Sequence, residues 1–212
     1  MGMSEAIQTW PWGKKVIVLL IVFGLFILLV IVYNWTKDHD PKRIASIARE
    51  FISLPEPLPT NFYYFYGCSR PAANDSQLRR VVLRQAAING MTIGFDNINY
   101  SADSDWVNDP KDLPVLPEHP SKLRGPEGNL HLWSVSRDMK RNKTKVTGLD
   151  MYYIRAHYKN RDTGEIYDGL EGEIIPNANT ARFIHIYAIQ SGGKTFDEEG
   201  FLNFLRCIKA FN

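Results

Sequence analysis

The run from Val16 to Tyr33, "VIVLLIVFGLFILLVIVY", contains no charged residue and no Asn, Gln or Pro. A segment of that kind has few places to go. As a helix its 18 residues cover about 27 Å, close to the ~30 Å hydrocarbon core of a bilayer. Trp12 precedes the run, and Tyr33 and Trp35 close it, where amphipathic rings favour the headgroup level. Lys14 and Lys15 can snorkel beside it. These five residues are the expected membrane-interface set. A cleaved leader would have an apolar region of roughly 7–15 residues and a small-residue cleavage site. Here the run is longer and leaves through Val32-Tyr33-Asn34-Trp35. An uncleaved single span over residues 16–35, with the lipid bilayer as its partner, is expected rather than a buried soluble helix.

Orientation follows from the basic residues near each end. Lys14 and Lys15 lie on one side, and Lys37, Lys42, Arg43 and Arg49 on the other, so the raw count favours a cytoplasmic C-terminal side. Against it, the lysine pair abuts the apolar run, Asp38 and Asp40 offset Lys37, and the N-terminal amine adds a charge. Long domains also translocate largely regardless of charge. The expectation is a short inside tail (1–15), the span (16–35), a juxtamembrane helix and linker (36–59), and an extracytoplasmic domain (60–212).

The roughly 170 residues after the span suit one domain with a sizeable core. Formal net charge is +2 with both signs interspersed. No basic stripe marks a nucleic-acid partner, and none is expected. The two cysteines, Cys68 and Cys207, read as a disulfide in an oxidising compartment and as unrelated small apolar residues in a reducing one. With the domain outside the cytoplasm, they are expected to pair.

Local signals give an element order. Asp40 and Pro41 suit the start of a helix that Pro55 ends, with Ile44, Ile47, Ala48, Phe51 and Ile52 on one face. Packing on its own domain is the favoured use of that face. Phe62–Tyr66 reads as a strand. Asp75 or Ser76 is placed to cap a helix carrying Leu78, Val81, Val82 and Ala86, and "MTIGFDNINY" follows as a strand, giving a βαβ-type unit. The loop from Gly67 to Asn74 is where a phosphate would meet that helix, but it has one Gly and no Gly-Lys-Ser/Thr. "NLHLWSVS" alternates. "GLDMYYIRAHYKNRDTGEIYDGLEGEIIP" is two strands joined at Asn160–Gly164. "ARFIHIYAIQ" is a strand with Ile184, Ile186 and Ala188 on one side and Phe183, His185 and Tyr187 on the other. Thr195 and Glu198 form a capping box for a last helix striped by Phe201, Phe204, Leu205 and Ile208. The fold class is α+β: one N-terminal transmembrane helix, then a mixed, mostly antiparallel sheet of about six strands with two or three packed helices.

Catalytic signatures are poor. His131, His157 and His185 lie on expected strands near Glu165, Asp168, Glu171 and Glu173, yet no metal-ligand spacing and no Gly-x-Ser-x-Gly elbow occurs. No catalytic residue, cofactor or metal is assigned. The proline-rich stretch from Asp103 to Gly128 is the best contact element. Pro114, Pro117 and Pro120 recur every third residue, as on one edge of a polyproline II helix. With Trp106 and Trp133 they form the expected protein-contact set. The function expected is binding of another protein by an extracytoplasmic domain anchored in a bacterial inner (plasma) membrane, as an immunity or inhibitor-type protein or an adaptor. The alternatives are a scaffold subunit of an envelope or secretion complex and, from a different class, a membrane-tethered hydrolase.

Overall fold

The computed structural model describes residues 11–71, 77–87, 90–99, 132–137, 142–160, 163–174, 182–190 and 193–212. The chain divides into two compact units, Met1–Asp38 and His39–Asn212. In the first, helix α1 (Trp12–Asp38) runs unbroken for 27 residues, and none of its residues is buried. It is the one described helix long and apolar enough to cross a membrane. Trp12, Tyr33 and Trp35 are exposed on it, and Lys37 lies 5.9 Å from the Tyr33 ring centroid.

The second unit is α+β. It opens with helix α2 (Pro41–Arg49), capped where expected: Asp40 accepts from the Lys42 N–H at 3.0 Å, and Pro41 fills the first turn. Strand β1 (Ile52–Ser53) leads through a short 3-10 turn into β2 (Phe62–Pro71), β3 (Gln77–Gln85) and β4 (Met91–Asn99). After these come β5 (Leu132–Arg137), β6 (Asn142–Val146), β7 (Leu149–Asn160), β8 (Ile166–Ile174) and β9 (Arg182–Gln190). Helix α3 (Glu198–Arg206) and β10 (Ala210–Phe211) complete the order. The main sheet runs β2-β3-β4-β9-β8-β7-β5, with β6 also on β7. Every pairing is antiparallel, so the expected mixed sheet is corrected. Two meanders, β2-β3-β4 and β7-β8-β9, meet at β4 and β9.

Both packed helices contribute to the core on one face of this sheet. Ile44, Ile47, Phe51, Phe201, Phe204 and Ile208 join Val81, Leu83, Ile93, Phe95, Ile184, Ile186 and Leu170 there. Gly67 permits the approach of α2, since a Cβ at that position would lie 3.0 Å from Ile44 Cγ2. The juxtamembrane helix therefore packs on its own domain. It ends at Arg49, and Ile52 belongs to β1, which pairs with β10. Asn212 seals that closure by donating to the Phe51 and Arg49 carbonyls.

Two local expectations are overturned. The segment assigned to a second helix is β3, so the unit is a meander and not βαβ. "RRVVLR" has apolar side chains on consecutive positions because both faces of β3 are buried at its centre, which erases the two-residue period. The phosphate loop goes with the helix, because Gly67 to Pro71 continue β2. The N-cap of α3 is Asp197, which accepts from Gly200 N–H at 2.9 Å, and not Thr195. The β7–β8 hairpin forms as expected, with Gly164 N–H donating to Asn160 O at 2.8 Å.

Cys68 and Cys207 are free, and the expected disulfide is absent. Cys68 is buried with Tyr66 and Val82 on the sheet face away from the helices. Cys207 is exposed where α3 ends, on the helix-covered side. The sheet stands between them.

Candidate functional site

The second face of the sheet carries two small apolar clusters, to which neither helix contributes. Between them lies a row of charged side chains. Cross-strand register sets Arg80 of β3 opposite Asp96 of β4, and Asp96 opposite His185 of β9. Directly opposed residues share a face, so alternation brings all three together. Glu171 of β8 sits one pair along, opposite Tyr187.

Arg80 grips Asp96 with both ends of its fork: Nε to Oδ1 at 2.6 Å and Nη2 to Oδ2 at 2.5 Å. The His185 ring lies between two carboxylates, with Nδ1 3.8 Å from Asp96 Oδ2 and Nε2 3.7 Å from Glu171 Oε2. The Tyr158 hydroxyl of β7 donates to Glu171 Oε1. Asp96, His185 and Glu171 are 2%, 4% and 0% exposed. Arg80 and His185 each stand beside a carboxylate of Asp96 or Glu171, the condition under which charges survive burial.

Electrostatics agree with that pairing. Burial works against ionised Asp96, but the Arg80 guanidinium, with help from His185, outweighs it and holds the carboxyl at about 2. Burial also disfavours the His185 imidazolium, yet Asp96 and Glu171 push the ring up to about 9. Arg80 is half-buried; desolvation works against its charge, and Asp96 outweighs that and holds it protonated above its ordinary range. At neutral pH this is a charged array in which both ring nitrogens of His185 face carboxylates.

A second cluster lies on the helix-covered face, where α3 starts. Glu198 accepts from Arg155 Nη2 at 2.8 Å and from the Tyr153 hydroxyl at 2.9 Å. Asp168 accepts from Phe196 N–H at 2.8 Å. These bonds join α3 to β7 and β8. His157 stands at the rim, its side chain 54% exposed and Nδ1 3.5 Å from Asp168 Oδ1. Register continues that row outward, setting Ser136 of β5 opposite His157 and His157 opposite Asp168.

The sequence-derived residues distribute accordingly. His157 and His185 each meet a hairpin carboxylate, but on opposite faces, so they do not form one centre. Glu165 is exposed and accepts from the Tyr167 hydroxyl at 2.6 Å. Glu173 is half-buried opposite His185. Among the described residues no group of three or more His, Cys, Asp or Glu is placed to hold a metal ion. His131, Trp106, Pro114, Pro117 and Pro120 lie outside the described residues, as does the side chain of Trp133 on β5.

Sequence reasoning missed Arg80 and Asp96. The available signal was a charge in mid-strand between apolar neighbours, as in "GFDNI" and "FIHIY", which demands a partner when both faces are buried. Choosing that partner requires the strand order. No family model, no curated protein and no solved structure matches this chain.

Proposed function

We propose that the chain is a single-pass membrane protein whose α+β domain lies outside the cytoplasm of a bacterial cell and binds another protein. The observation that carries the reading is helix α1. Its apolar side chains are exposed along the whole length, with Leu19 at 70% and Leu29 at 67%. Withdrawing each such side chain from water is worth about 1.5–3 kcal/mol. Over the helix this amounts to tens of kcal/mol, more than the ~5–15 kcal/mol that holds a domain folded. A hydrocarbon core about 30 Å thick accommodates the run from Val16 to Tyr33.

The inside of the domain supports binding over catalysis. The charged row on the face away from the helices is largely buried and internally paired, which suits a rigid body better than an open reaction centre. A blocking (immunity or inhibitor-type) component or an adaptor suits a rigid tethered domain, and a scaffold subunit of an envelope or secretion complex is the near relative of that reading. Alkaline carbonate extraction tests the anchor, and a phosphatase fused after Asn212 tests the side. Retention in the membrane with an active phosphatase is expected. Native mass spectrometry of the detergent-extracted chain tests the partner. A chain isolated only as itself would remove protein binding from the proposal.

One observation favours the second reading, a membrane-tethered hydrolase. His157 Nδ1 lies 3.5 Å from Asp168 Oδ1, a base beside a carboxylate, and the backbone register of β5 on β7 sets position 136, a serine, opposite His157. Asp168 is already committed to Phe196 N–H and faces Arg155, as expected of a structural carboxylate. Covalent labelling by a fluorophosphonate, lost in Ser136→Ala and His157→Ala alike, would decide for the hydrolase.

A further inference from the structure

We draw no further inference here: the strongest candidate, the aromatic β2 edge of the sheet with Tyr63 and Phe65 beside Arg84, is an unpartnered strand edge, and nothing in the structure shows what covers it.

Discussion

Replacing Arg80 by Met removes the guanidinium and keeps much of the side-chain volume. Asp96 is then a buried carboxylate, its side chain 3% exposed, that has lost two short charge-assisted bonds. It retains only the His185 ring at 3.8 Å. Breaking a buried pair on one side costs about 3–5 kcal/mol, since an uncompensated charge remains. For a chain of this size each kcal/mol moves the midpoint by roughly 2–4 °C, so a fall of about 6–20 °C is expected. Adding Asp96→Leu should recover most of it, because replacing both partners of a buried pair by apolar groups is often neutral or better. Thermal unfolding of the detergent-solubilised chain, followed by near-ultraviolet circular dichroism, measures all three variants. A loss under about 1 kcal/mol for Arg80→Met would be the value of an exposed pair. It would mean that water reaches this face and that the buried array is not what holds the strands in register.

The same array gives a pH dependence. His185 is raised from 6.5 to about 9, so its stabilisation is complete below about pH 6.5 and lost as pH rises through 9. At 1.36 kcal/mol per unit that is on the order of 3 kcal/mol, and His185→Leu should flatten the alkaline limb of a midpoint-against-pH curve. Asp96 is lowered to about 2 from 3.8, so its contribution is present above about pH 4 and disappears as pH falls through 2. Gly94→Ala should destabilise by about 1–3 kcal/mol in urea titrations, since the new Cβ would lie 2.0 Å from Tyr187 Cζ and must displace that ring. Alkylation of the native chain without reductant should modify Cys207 quickly and Cys68 only after denaturation, with two thiols counted by mass; a protected pair would contradict their separation by the sheet. Exchanging residues 112–120 for a Gly/Ser linker should leave the midpoint within a few degrees and weaken partner capture about tenfold, roughly 1.4 kcal/mol.

Much of this architecture was legible one segment at a time. The apolar helix α1, the Asp40-Pro41 start of α2, the β7–β8 turn, the inward side of β9 with Ile184, Ile186 and Ala188, and the apolar stripe of α3 all rest on contacts between near neighbours. For these, periodicity and capping chemistry are sufficient information. β3 was not legible for the opposite reason. Its Val81, Val82 and Leu83 satisfy two faces at once, and only the presence of β2 and β4 on either side says that both faces are covered. Glu198 misled in a similar way. Its position suits a capping box, but a longer-range bond to Tyr153 and Arg155 claims its side chain.

What residue order alone determined was the start of α2, the turn between β7 and β8, and that one long helix is apolar from Val16 to Tyr33. Tertiary structure decided the rest. Arg80, Asp96, His185 and Glu171 come from four strands and become one group because β3 pairs with β4, β4 with β9 and β9 with β8. Cys68 and Cys207 fall on opposite sides because register sets Cys68 beside Arg80 on the face away from the helices, while Cys207 caps the helix that covers the other face. A charge, a thiol or a ring carries no local mark of its distant partner; register across strands supplies it, and register is set by burial of the whole sheet.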